Sequence, residues 1–134
     1  LVRDYCNLEE GAMVGMGAEV TRTIFQKNVH IHSGFFGDSV LGENCRVGAG
    51  SITANVRIDR NPVKSNVKGK RISTGRNSMG VVIGENTRTG IGTKFMPGVM
   101  IGKNCTIGPN TIVKRNLESG TLFYTEFKEV VKGK

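Results

Sequence analysis

Two histidines, His30 and His32, stand in the stretch HIHSGFFGD, and the chain has no others. An imidazole titrates near neutral pH, so a histidine open to a substrate can take a proton from it. A second stretch with chemical potential runs from about residue 53 to 80. It holds Arg57, Arg60, Lys64, Lys68, Lys70, Arg71 and Arg76 against one acid, Asp59. Such a segment is either a solvated charged loop or a receiver of anionic groups such as phosphates. It has no nucleic-acid motif and no interleaved aromatics, so DNA and RNA are not expected partners. Cys6, Cys45 and Cys105 are too far apart for a metal-ligand pattern or a paired disulfide framework. Two histidines cannot supply the three imidazoles of a catalytic zinc site, so no metal is expected.

The elements that position these residues come from a repeat of period six. Written in sixes, IGENTRTGIGTKFMPGVMIGKNCTIGPNTIV puts Ile83, Thr89, Phe95, Ile101, Ile107 and Val113 in the first slot. Gly84, Gly90, Met96, Gly102 and Gly108 fill the second, and Thr87, Thr93, Val99, Cys105 and Thr111 the fifth. The same frame fits Val2 to Val20, Phe25 to Ile31 and Leu41 to Val47. The fifth slot, the sixth and the next first slot alternate in, out, in along a short strand. The first slot fills the core, the fifth must be small, and a second-slot glycine is expected to turn a sharp corner. Three such faces close one coil of a β-solenoid. The cysteines all fall in the small inward slot, which makes them small buried hydrophobes. A helix is excluded by the period and by 19 glycines in 134 residues. No run is long and apolar enough to span a membrane, and an odd set of unpaired cysteines suits the cytoplasm.

The frame breaks at residues 32 to 40 and again across the basic segment. With Val29 and Ile31 inward, His30 and His32 point outward. His32 stands in the slot that is glycine elsewhere, and Gly48-Ala49-Gly50 of the next coil is expected beside it. The basic segment, about 56–80, reads as a loop projecting from a coil that spans 1–117. The segment 118–134 reads as a tail, with Phe123, Tyr124 and Phe127 packing on this or a neighbouring subunit. The chain opens on Leu1 with Val2 already in frame, so it reads as a domain whose parent continued N-terminally.

HSGFFGDSVLGENCRVGAGSITAN, followed by the basic segment and by the perfect repeats, resembles the C-terminal domain of bifunctional sugar-1-phosphate nucleotidylyltransferase/acetyltransferases. ANVRIDRNPVKSNVKGKRISTGR looks closer to the archaeal-type branch. The resemblance covers nearly the whole chain. It implies an all-β, left-handed parallel β-helix and an acetyl-CoA-dependent N-acetyltransferase of glucosamine 1-phosphate, with no metal required for the transfer. His32, five residues before Gly37, is then the general base. Asn55 orients the sugar, and Lys64, with Arg71, neutralises its phosphate. Ala49, Ile91 and Pro109 contact the cofactor. Main-chain N–H groups of Gly48 to Gly50 are candidates for oxyanion stabilisation. Asp38 either holds its turn or orients His32, and His30 supports structure. Phe35 stands where the family commonly has a substrate-binding Tyr, and Arg46 where bacterial members carry a sugar-contacting Asn. A convex coil offers no deep cleft, so a homotrimer with sites between subunits is expected. The competing reading is a non-catalytic trimerisation or regulatory module, favoured by the missing Tyr hydroxyl.

Overall fold

The computed structural model describes residues 1–134, and its ordered elements are all β-strands. No helix is long and apolar enough to cross a membrane. Most strands have two residues, as a six-residue face with a corner at each end requires. They stack into three parallel faces. The first comprises Asn7–Leu8, Ile24–Phe25, Val40–Leu41, Val82–Ile83 and Met100–Ile101. The second comprises Met13–Val14, His30–Ile31, Arg46–Val47, Arg88–Thr89, Thr106–Ile107 and Leu122–Phe123. The third comprises Ala18–Thr21, Gly34–Gly37, Ser51–Thr53, Lys94–Phe95 and Ile112–Val113. The chain visits them in that order, coil after coil, in a parallel β-helix.

Inward first-slot residues from all three faces meet in one narrow core. Phe25, Ile31, Leu41, Ile83, Phe95, Ile107 and Val113 are essentially sealed from solvent. Phe25 meets Phe36 edge-to-face, and Phe36 meets Phe95, at ring centroid separations of 6.3 and 6.2 Å. At three fifth-slot positions the side chain does more than stay small, because its hydroxyl or thiol donates to a carbonyl of the next coil. Cys45 Sγ reaches the Gly84 oxygen at 3.1 Å, Thr87 Oγ1 the Gly102 oxygen at 3.0 Å, and Cys105 Sγ the Glu118 oxygen at 3.2 Å. Burial pushes the Cys45 thiol up to about 11, so it stays protonated and keeps donating.

The first break is a shortened coil. Ile31, Phe36 and Leu41 take successive core positions five residues apart instead of six, and Phe36 is fully buried. The second break is not a free loop. Lys64–Val67 pairs antiparallel with Lys70–Ser73, and the hairpin folds back along the edge between the third and first faces. Ser65 Oγ donates to the Gly98 oxygen at 2.8 Å, Asn116 Nδ2 donates to the Asn66 oxygen at 2.9 Å, and Val63 is buried beneath. The coil also runs beyond residue 117. Leu117 bridges to Ile101, and Leu122–Phe123 adds a sixth rung to the second face. The tail therefore begins at Tyr124. Phe123 packs against the core, while Tyr124, Phe127 and Val131 remain 55, 58 and 95% exposed.

One expectation about the repeat needs correction. The corner is turned by the fourth slot, not the second. Asn86, Gly92, Gly98, Asn104 and Asn110 all take positive φ, between 49° and 78°. Second-slot glycines are required for another reason. A Cβ on Gly84 would lie 2.7 Å from the carbonyl carbon of Gly102 in the next coil. Gly84→Asn is therefore expected to be as damaging as Gly84→Ala, at about 1–3 kcal/mol each from overpacking. Asn86→Gly, at the true corner, should be nearly neutral. Urea denaturation of the three variants separates the two roles of glycine.

Candidate active site

The edge between the second and third faces carries His32. Its exposed side chain has no hydrogen-bond partner in the chain. Along this edge the second slots at Gly48 and Gly90 have no room for a Cβ, and the shortened coil removes that restriction at His32. The close approach moves to Gly34, where a Cβ would lie 1.9 Å from the Ser51 oxygen. His32 is thus freed to project while its main chain packs over Gly15, where a Cβ would lie 2.2 Å from the His32 oxygen. Above it, Gly48, Gly90 and Pro109 stack backbone on backbone, which puts Ala49, Ile91 and Pro109 on the same edge, all exposed. The edge flanks a shallow groove of about 470 Å³ lined by His30, His32, Arg46, Gly48 and Arg88.

Of the three expected oxyanion donors, two are engaged in the fold. Gly48 N–H donates to the Thr89 oxygen at 3.0 Å, and Gly50 N–H to Ser33 Oγ at 2.9 Å. Ala49 N–H has no partner within the chain. The candidate oxyanion donor narrows to that one group.

Asn55, Lys64 and Arg71 lie on the edge between the third and first faces. Its centre is Asp38, whose side chain is 3% exposed. Arg22 donates from Nε and Nη2 at 2.7 and 3.0 Å, Asn55 Nδ2 at 2.6 Å, and Ser78 Oγ at 2.5 Å. Burial opposes the Asp38 charge, but the bonds from Arg22, Ser78 and Asn55 outweigh it and bring the pKa down to about 2. Asn55 stands at the entrance of the inserted hairpin and Ser78 at its exit, and both donate to Asp38 Oδ2. One carboxylate oxygen therefore clamps both ends of the insertion to the coil. Asp38 holds this turn rather than orienting His32. Phe35 leans the same way, since the point where a Gly37 Cβ would lie is 2.9 Å from its Cζ and 2.8 Å from Asn55 Nδ2.

Beyond Asn55 the hairpin and the coil enclose a groove of about 600 Å³. Lys64 and Arg71 line it, together with Arg57, Lys114 and Arg115. Arg57 is paired with Asp59, the only acid of the groove. Lys114 and Arg115 were not singled out in the sequence. Their one signal is a pair of cations directly after the last perfect repeat, at the end where the hairpin folds back. Arg46 lies apart from this groove, on the second face. Its Nη1 donates to the carbonyl oxygens of Asn28 and Cys45.

Comparison with known proteins now bears on this arrangement. Residues 80–115 match the bacterial transferase hexapeptide (six repeats) family. The bifunctional protein GlmU of Methanocaldococcus jannaschii is 46% identical over 124 residues, 92% of this chain and 30% of that protein. The bifunctional sugar-1-phosphate nucleotidylyltransferase/acetyltransferase of Sulfurisphaera tokodaii is 42% identical over 123 residues, 91% of this chain and 31% of that protein. The chain matches the C-terminal part of these bifunctional proteins. It spans just under a third of the length of these relatives. In fold it is similar to the H141N mutant of perosamine N-acetyltransferase from Caulobacter crescentus, solved with CoA and GDP-perosamine. That TM-score is 0.70 at 24% identity, covering 92% of this chain and 49% of that one. The GlmU-like β-helix thus has its histidine edge and its clamped basic insertion on two different edges of the coil.

The Asp38 clamp has a pH signature. Its folded pKa lies below the ordinary 3.8, so its stabilisation is present above pH 3.8 and is lost as pH falls through about 2. The shift corresponds to on the order of 2 kcal/mol. Thermal melts between pH 5 and pH 2 should show this loss, and Asp38→Asn should flatten it. At neutral pH that variant should also speed hydrogen exchange in the inserted hairpin.

Proposed function

We propose that this β-helix is an acetyl-CoA-dependent N-acetyltransferase of an amino-sugar 1-phosphate, glucosamine 1-phosphate first among them, acting as a homotrimer with its sites between copies. The observation that carries the reading is the unpartnered His32 beside the free Ala49 N–H, on an edge stacked with Ala49, Ile91 and Pro109. The relatives' names supply the reaction class, and the CoA complex of the perosamine enzyme supports the donor.

In this mechanism the neutral His32 imidazole takes a proton from the sugar's amino group as its nitrogen attacks the acetyl thioester carbonyl. The tetrahedral oxyanion accepts a hydrogen bond from Ala49 N–H. The C–S bond then breaks, CoA leaves as thiolate, and the proton held by His32 returns to sulfur. The donor lies along Ala49, Ile91 and Pro109. Asn55 uses its side-chain oxygen toward the sugar, since its Nδ2 is held by Asp38. Lys64 and Arg71 neutralise the phosphate.

The two edges of one chain do not meet, which supports a shared site. A second copy would bring the edge bearing Lys64 opposite the edge bearing His32. Closed threefold packing would repeat this at every interface without forming filaments. The exposed Ile91 and Tyr124 on the histidine edge are apolar surface for such a contact.

His32→Ala should lower acetyl transfer to glucosamine 1-phosphate about 10²–10⁴-fold, measured by CoA release, with the fold intact and His30→Ala much milder. A wild-type chain that binds neither substrate and releases no CoA would favour the trimerisation module instead. Lys64→Ala should weaken sugar phosphate binding by about 1.5–3 kcal/mol. Co-refolding His32→Ala with Lys64→Ala should restore part of the activity, because some interfaces then pair two intact edges. A monomer by sedimentation equilibrium with full activity would overturn the shared site.

A further inference from the structure

The groove beside His32 contains charge that the proposed reaction has not used. His30, Arg46 and Arg88 occupy consecutive outward rungs of the second face, in register. Parallel strands stack about 4.8 Å apart, so two guanidiniums sit one rung from each other. Like charges on directly opposed rungs are destabilising. Neither arginine has an acidic partner within ion-pair distance, and no acid lines the groove. Arg46 is nonetheless held in place, because its Nη1 is anchored on the Asn28 and Cys45 carbonyls. Its Nε and Nη2 donors are left without partners in the chain. Arg88 has no side-chain hydrogen bond at all.

We propose that Arg46 and Arg88 form a phosphate subsite beside His32, which holds the acceptor's phosphate from the same chain that supplies the base. This rests on the acetyl-transfer reading. A group that meets His32 must enter the groove His32 lines, and that groove presents a pre-anchored guanidinium fork. In a 2-amino sugar 1-phosphate the amine and the phosphate stand on neighbouring carbons, so both fit within one shallow groove. A phosphate has three terminal oxygens, enough for the two arginines and for Lys64 of a second copy. Binding a dianion also relieves the repulsion between the two cations.

Two variants test this. Arg88→Ala removes an exposed side chain with no internal partner, so folding is not at risk. Arg46→Lys keeps the charge and removes the fork. Calorimetry with glucose 1-phosphate, which lacks the amine, reads the subsite without catalysis. Arg88→Ala should weaken its binding about 10–100-fold, and Arg46→Lys by a smaller factor. In turnover, kcat/KM for glucosamine 1-phosphate should fall similarly while that for unphosphorylated glucosamine does not, and KM for acetyl-CoA should hold. The same loss should appear with a short acetyl thioester that carries no phosphate. A loss confined to acetyl-CoA would overturn the proposal and assign the arginines to the donor's phosphates. Unchanged glucose 1-phosphate binding in both variants would overturn it outright. Were the wild-type protein to acetylate no amino sugar, the acetyl-transfer reading would fail, and the calorimetric titration alone would decide the phosphate subsite.

Discussion

The distance between successive coils governs this molecule. Parallel pairing sets the coils about 4.8 Å apart on the faces, and the corners must keep the same spacing. At that distance the second-slot corners at Gly48, Gly84, Gly90 and Gly102 have no room for a side chain. On the His32 edge the chain can carry a side chain at such a corner only by moving the tight contact elsewhere. It does so once, by shortening the face after His32 and transferring the close approach to Gly34. The interruption of the repeat is thus what makes a histidine possible at that corner.

The second edge obeys a different constraint. A basic hairpin inserted into a stacked coil needs its two ends brought together and its charge managed. Asp38 does both. Its carboxylate is buried, so it is costly unless paired, and the cost is offset by donors from the coil below and from both ends of the insertion. The hairpin then lies over the later coils, where Lys114 and Arg115 add to its field. The result is a groove built from two segments that are remote in sequence.

The in–out alternation was readable directly, because a period of six with large, small and glycine slots admits few other structures. Outward His30 and His32, the inward cysteines and the nearness of Gly48-Ala49-Gly50 to His32 followed from it, whereas Ile91 and Pro109 came only with the family resemblance. What escaped the pattern was contact across coils. The glycine at 84 looks the same whether it turns a corner or makes room, and only the neighbouring coil distinguishes the two. The same holds for Gly48 and Gly50, whose N–H groups are engaged by Thr89 and Ser33 of other coils. The hairpin's return along the edge depends on Ser65 meeting Gly98 and Asn66 meeting Asn116, pairings with no local signature. The last rung, Leu122–Phe123, was hidden because the repeat loses its glycine slots near the end while keeping its apolar ones.

A β-helix uses its whole interior for stability, so its chemistry must be placed on outward positions. That separation makes the outward positions inexpensive to change, since an exposed side chain carries little core energy. In one chain His32 and Lys64 stand on edges that the cross-section holds apart. Under the shared-site proposal, the surface that completes one copy's site is the edge another copy cannot use by itself. The arginines beside His32 fit that logic. Stacked in register without an acid, they are a net cost in an isolated coil, which under the same proposal an anion in the groove between copies would offset.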